Sequence, residues 1–320
     1  GGCEQKTRPL FESLPSSKTG ITFNNAVVAN EYFNILTFEY VYNGGGVGIG
    51  DFNNDSLPDI FFSGNVVSNR LYLNEGDLRF RDITKEAGVA AKEKWCTGVS
   101  VVDINGDGWQ DIYVCASVYN KGKRGNLLFI NQGLNEDGVP VFEEQAEAYG
   151  IADQGYSIQG AFFDYDNDND LDLYVLTNQV ETISPNKYRY KMNNGSSPSN
   201  DRIYKNNGDG TFTNATREAD IFYEGYGLGI SIRDINEDGW KDIYITNDYM
   251  TNDVLLINNQ DGSFTNKIRD FIKHQNHSAM GHDVADINND GLPDIFALDM
   301  VPEDVQHMKS TMLPSKYNDY

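Results

Sequence analysis

The sequence predicts an all-β protein assembled from four-stranded antiparallel units, and three observations lead there. A ten-residue stretch rich in aspartate occurs five times in the 320 residues, beginning at Asp51, Asp103, Asp164, Asp234 and Asp286. Each copy lies between two short apolar or β-rich runs, such as Gly98-Val-Ser-Val-Val before and Ile112-Tyr-Val after. Two more such runs follow each of the first four copies, and successive copies are 52, 61, 70 and 52 residues apart. β-Branched and aromatic residues in runs of this length read as strands. Four strands per unit at this interval match a propeller blade. Paired calcium-binding helices would need helical apolar periodicity around each stretch, and there is none.

Taken in order, residues 1–10 read as an N-terminal tether. Gly1-Gly2-Cys3 is similar to the end of a bacterial lipobox, whose cysteine carries lipid; an ordinary exposed thiol is the alternative. Residues 11–43 read as a closing strand and lead-in. Their Phe11-Glu-Ser-Leu-Pro-Ser-Ser-Lys-Thr-Gly-Ile21 matches the fourth-strand segment Phe80-Arg-Asp-Ile-Thr-Lys-Glu-Ala-Gly-Val89 with one residue inserted. Residues 44–300 hold the repeats. Third strands are expected at 70–74, 126–131, 202–206 and 254–258, and fourth strands opening on Phe80, Phe142, Phe212 and Phe264. The fifth unit shows two strands before an irregular polar segment, 301–320. This predicts an incomplete ring, about four and a half blades of a propeller that typically holds 4–8. The rival is a closed five-bladed ring in which 11–23 and 32–42 supply the missing strands.

Every copy of the aspartate stretch places Asp at positions 1, 5 and 9 and Asn or Asp at position 3. Gly follows position 5 in three copies, with Ser56 and Asn169 in the others, residues that suit a sharp bend. Alternate carboxylates wrapped by a turn offer the oxygen cage that Ca²⁺ prefers, whereas Mg²⁺ takes fewer protein ligands and stricter geometry. A backbone carbonyl at position 7 would complete the set. The third copy carries the most carboxylate and is expected to bind tightest. The loops hold 17 Asp and one Glu, most of the excess behind a formal net charge of −23; five divalent ions would bring it to −13. Such acidity argues against nucleic acid as a partner. No stretch approaches the length of a transmembrane helix.

Loops of the form D-x-[DN]-x-D-[GSN]-x-x-D inside four-stranded units resemble the FG-GAP or VCBS repeat family, repeats also seen in integrin α-chain propellers. The Phe-Gly pair behind the name is absent, with Gly46, Gly98, Gly229 and Gly281 in the corresponding region. The resemblance implies about five structural calcium sites. In the first, the ligands would be Asp51, Asn53, Asp55, the Leu57 carbonyl and Asp59. The second would use Asp103, Asn105, Asp107, the Trp109 carbonyl and Asp111, and the third Asp164, Asp166, Asp168, the Asp170 carbonyl and Asp172. The fourth would use Asp234, Asn236, Asp238, the Trp240 carbonyl and Asp242, and the fifth Asp286, Asn288, Asp290, the Leu292 carbonyl and Asp294. The segments 57–62 (LPDIFF) and 299–304 (DMVPED) further resemble large surface lipoproteins of Bacteroidetes, in which an ASPIC/UnbV region often follows the propeller. That implies an extracytoplasmic, surface-exposed outer-membrane address, with membrane attachment only through lipid on Cys3.

The turns between strands 1–2 and 3–4 of a blade share one pole, so the 2–3 and 4–1 connections share the other. Binding is expected there. These connections include 64–69, 117–125, 247–253 and the long 178–201, and connections of that length are often functional. Trp95, Tyr188, Tyr190 and Tyr249 beside Asn and Asp would suit sugar stacking or a protein partner, or else pack between blades. Cys96 and Cys115 flank the second loop, placed either to pair in an oxidising compartment or to sit as buried thiols. His274, His277, His282 and His307 match no standard metal spacing and read as surface loop. No G-x-S-x-G, P-loop or CxxC appears. The sequence thus points to a non-catalytic, calcium-stabilised extracellular or cell-surface propeller that binds protein or glycan. The alternative is a propeller enzyme acting on polysaccharide.

Overall fold

Each aspartate loop joins two antiparallel strands, as its flanking runs require. The computed structural model describes residues 10–31, 34–35, 37–38, 40–91, 93–117, 124–178, 192–248, 251–276 and 278–300. Blade one comprises β1 (Val47–Gly50), β2 (Asp59–Phe62), β3 (Arg70–Asn74) and β4 (Phe80–Asp82). Blade two is β5 (Trp95–Val102), β6 (Asp111–Ser117), β7 (Leu127–Leu134) and β8 (Pro140–Glu144). Blade three is β9 (Ser157–Phe163), β10 (Asp172–Thr177), β11 (Arg202–Asn206) and β12 (Phe212–Asn214). Blade four is β13 (Gly227–Arg233), β14 (Asp242–Asn247), β15 (Val254–Asn258) and β16 (Phe264–Asn266). The fifth sheet pairs β17 (Ala279–Ala285) with β18 (Asp294–Asp299). First strands of successive blades lie side by side. Among the described residues the first and last sheets share no pairing, so the blades do not close into a full ring.

Stacking explains the residue pattern. A second strand inside the stack is covered on both faces, and β6, β10 and β14 are buried at every position. Phe61, Leu71, Ile112, Val114 and Phe129 fill the space between blades one and two. Tyr113, Cys115, Leu128, Leu173 and Val175 do so between two and three, and Tyr174, Leu176, Ile243, Ile245 and Leu256 between three and four. Each such aliphatic or phenyl side chain contributes about 1.5–3 kcal/mol on burial. Cys96 joins the first of these clusters and Cys115 the second, so the two thiols face opposite sides of blade two and are free. The disulfide alternative is thereby overturned.

The fourth strands of blades one, three and four are shorter than expected, and that of blade two opens at Pro140 instead of Phe142. Helical turns interrupt them: α1 (Ser16–Thr19) lies in the lead-in, and α2 (Thr84–Ala87), α3 (Ala146–Tyr149) and α4 (Ile268–Phe271) follow strands four of blades one, two and four. The side chains of Asp82, Glu144 and Asn266 accept the N–H of Thr84, Ala146 and Ile268, which starts each turn. Gly20, Gly88 and Gly150, all left-handed, end α1, α2 and α3. A Cβ on any of them would stand within 3.3 Å of a carbonyl oxygen in the next blade's fourth strand, that of Phe80, Phe142 or Phe212.

Thus α1 sits against blade one as α2 sits against blade two. The expected strand at Phe11 is not formed; Phe11 is exposed, with no described strand beside it. The closed-ring rival fails for a similar reason, because the described residues of 11–23 and 32–42 contain no strand. Described residues of the lead-in beyond α1 reach the pole away from the loops. Phe23 stacks on Phe62 with centroids 5.0 Å apart, and Tyr40 Oη donates to Asp248 Oδ2 of blade four at 2.8 Å.

Candidate metal centres and the opposite pole

The five loops share one hydrogen-bond pattern, built from side-chain oxygens that turn back onto their own backbone. The position-1 carboxylate takes the N–H groups of positions 5 and 6. Asp103 accepts from Asp107 (3.1 Å) and Gly108 (2.9 Å), and Asp286 from Asp290 (3.0 Å) and Gly291 (2.9 Å). The position-5 carboxylate takes the N–H of position 7, as Asp107 does from Trp109 at 2.8 Å. In loops one, two and four the position-3 asparagine donates its amide to the position-5 carboxylate at 2.9 Å. Positions 4 and 6 both adopt left-handed backbone: Asn54 and Ser56, Gly106 and Gly108, Asn167 and Asn169, Glu237 and Gly239, Asn289 and Gly291. The sequence signalled the bend at position 6 and not the one at position 4.

Position 9 differs from the others. Asp59, Asp111, Asp172 and Asp242 are fully buried, and both oxygens of each accept backbone N–H groups. One donor is position 2 of the same loop. The other is an asparagine of the third strand, Asn74, Asn131, Asn206 or Asn258, at 2.8–2.9 Å, the last residue of that strand in blades one, three and four. Burial pushes the Asp59 and Asp111 carboxyls up to about 6 and that of Asp172 up to about 7, while those N–H bonds pull the other way. The asparagine also closes its own loop, its amide donating to the carbonyl of Pro58, Gln110, Leu171 or Lys241. Sequence reading assigned these asparagines no role, although their recurrence at the end of the same apolar run in four units was visible.

These oxygens suit a hard cation. One ligand atom each from Asp164, Asp166 and Asp172 lie within 4.8 Å of one another, a group that could hold a metal ion. Asp166 Oδ1 is buried there with no hydrogen-bond partner, an acceptor that the protein leaves for something else to satisfy. Its other oxygen pairs with Lys205 Nζ, which also reaches Asp168 Oδ2 at 3.2 Å.

The opposite pole rearranges the expected aromatics. Trp95 is 3% exposed, edge-on to Phe38 of the lead-in at 5.4 Å, so it packs and presents no stacking surface. Tyr188, Tyr190 and Tyr249, like Cys3, His277 and His307, lie outside the described residues. His282 is not surface loop: it sits on β17 with Nδ1 2.9 Å from Thr246 Oγ1 and its ring edge-on to Tyr244, and burial pushes its imidazole down to about 4. An open cleft of about 320 Å³ lies where blade three's third strand begins, lined by Asn200, Arg202, Asn214, Arg217 and Phe222. Asn200, 2% exposed, has an Oδ1 without a partner. No described helix is long and apolar enough to cross a membrane.

A family model described as an FG-GAP-like repeat matches residues 51–114, 193–245 and 234–297, covering loops one, two, four and five. Cartilage acidic protein 1 of Xenopus tropicalis is 28% identical over 212 residues, 64% of this chain and 29% of that protein. The human Cartilage acidic protein 1 is 26% identical over 211 residues, 64% of this chain and 28% of its own length. The chain therefore spans less than a third of these curated relatives. A solved Agrocybe aegerita lectin, described as recognising non-reducing terminal N-acetylglucosamine, is 17% identical with a TM-score of 0.42. That match covers 79% of this chain and 60% of the lectin, a likeness too loose to speak for function.

Proposed function

The chain belongs to the FG-GAP-like repeat family, and from that premise we propose that it is a calcium-stabilised extracytoplasmic propeller module that binds protein or glycan at the pole opposite its loops. The observation that carries the calcium reading is the convergence of Asp164, Asp166 and Asp172 around the unpartnered Asp166 Oδ1. The same hydrogen-bond frame recurs in all five loops. The residues that would hold the ion are those at positions 1, 3, 5 and 9, with the carbonyl at position 7. Bound there, Ca²⁺ would supply the countercharge that adjacent carboxylates need, a structural role. Extracellular modules typically bind at about 10⁻⁴ to 10⁻³ M, so such loops would fill outside a cell and stay mostly empty in cytosol.

Support for a ligand at the other pole comes from the blade-three cleft. It brings an unpartnered amide oxygen, guanidinium groups and an aromatic ring together with residues 194–196 of the long connection. A surface anchor through Cys3 belongs to the same reading, and mass spectrometry of the protein from its native membrane checks it. Equilibrium dialysis should find about five Ca²⁺ per chain, and a glycan array should find binding without turnover. Absence of any bound calcium at 2 mM would sink the reading; release of product from a polysaccharide panel would turn it to the enzyme alternative.

A further inference from the structure

Loop three differs from its siblings in two linked ways. Where loops one, two, four and five carry Asn53, Asn105, Asn236 and Asn288, it carries Asp166. Where the third strands of blades one, two and four present Leu73, Ile130 and Ile257 at one register, blade three presents Lys205. The first change removes the amide that bridges positions 3 and 5 in loops one, two and four. The second restores a bridge, because Lys205 Nζ bonds Asp166 Oδ2 and lies 3.2 Å from Asp168 Oδ2. Counting positions 1, 3, 5 and 9, loop three has four carboxylates against three in the others, and the ammonium cancels the surplus.

We propose that Lys205 sets the cation affinity of loop three, its ammonium replacing the asparagine bridge and offsetting the fourth carboxylate. The ammonium takes Asp166 Oδ2 and reaches Asp168 Oδ2 but leaves Asp166 Oδ1 without a protein partner, so it tunes the centre without filling it. Carboxylate count alone would make this the tightest loop. With a positive charge in contact with two of its ligands, it should bind no more tightly than its siblings.

The inference rests on the calcium reading above, and the test separates the two. Calcium is titrated calorimetrically into wild type, Lys205→Ile, Lys205→Arg and Asp166→Asn/Lys205→Ile, with Asp164→Ala added to each to identify the loop-three site. Isoleucine stands at this register in blades two and four, so the variant strand should form. Lys205→Ile should tighten one site roughly tenfold and lower the melting temperature in chelator, where four carboxylates are left unbridged. Lys205→Arg should leave the affinity unchanged, and the double variant should return it to that of the other loops. An unchanged or weakened loop-three affinity in Lys205→Ile, with calcium still bound by wild type, overturns this inference alone. No calcium bound by wild type overturns the calcium reading and this one with it.

Discussion

Blade two and the fifth sheet carry the same aspartate loop in opposite surroundings. In blade two, β6 is buried at all seven positions, and Asp111 takes one N–H from Ile104 and another from Asn131. In the fifth sheet, Phe296 and Leu298 are 59% and 57% exposed, and Asp294 takes the N–H of Ile287. Yet within the two loops the bonds from positions 5, 6 and 7 agree to within 0.2 Å. Loop shape is therefore local, fixed by aspartate spacing and two left-handed residues. Burial of the ninth position is borrowed from a third strand and a neighbouring blade.

The largest test of that division is removal of calcium. At ten times its Kd, each filled site stabilises by about 1.4 kcal/mol, or about 7 kcal/mol if five fill. Chelation should lower the melting temperature, and hydrogen exchange should show the two loops gaining protection alike on calcium addition. Unequal gains would mean that loop geometry depends on the surrounding blade after all.

Next comes the ninth position. Asp111→Ala leaves two buried N–H groups unpaired and should cost about 2–5 kcal/mol in denaturant unfolding with chelator present. Asp294→Ala removes a half-exposed acceptor and should cost about 1 kcal/mol or less. Equal losses would erase the contrast.

A smaller test lies at the other pole, where Asn126 in blade two and Asp201 in blade three do one job. Asn126 Oδ1 accepts the N–H of Ala116 at 2.8 Å; Asp201 Oδ1 accepts that of Thr177 at 2.8 Å and its Oδ2 accepts from Tyr174 Oη at 2.9 Å. Burial pushes the Asp201 carboxyl up to about 7. Between about pH 4 and 7 the folded chain holds a proton that the unfolded chain has shed, so this group's contribution to stability falls as pH rises. Asp201→Asn should flatten that slope, gaining at least about 1 kcal/mol on wild type between pH 5 and 8. A parallel pair of pH–stability curves would refute it.

Much of the architecture was legible in the residues themselves. The five hairpins, four third strands and the two-stranded fifth unit follow from β-rich runs in a fixed order around each loop. The helical turns after the fourth strands were not read, because one turn is too short to show helical periodicity; the capping side chain and left-handed glycine were the available signal. His282 was misjudged, and for Trp95 the packing alternative is the one realised, for a common reason. Each is covered by a segment distant in the chain, the lead-in for Trp95 and blade four for His282, and no local pattern reports what will lie on top of a side chain. The side chains at positions 1, 3 and 5 could be singled out from the sequence because the bonds they make are local. The asparagine partner of position 9 was not, since its contact spans 15 to 34 residues.

Loops one and two are also tied to each other. Asp51 N–H donates to Gln110 Oε1 at 2.7 Å, Asn54 Nδ2 to the Gly108 carbonyl at 3.2 Å, and Asn131 Nδ2 to the Phe52 carbonyl at 2.9 Å. Two neighbours so fastened share their fluctuations, and whatever quiets one quiets the other before it has an occupant of its own. Filling should then be a joint event in this pair, with a Hill slope above one that cutting Gln110 back to alanine, which removes one of the three ties, brings closer to unity.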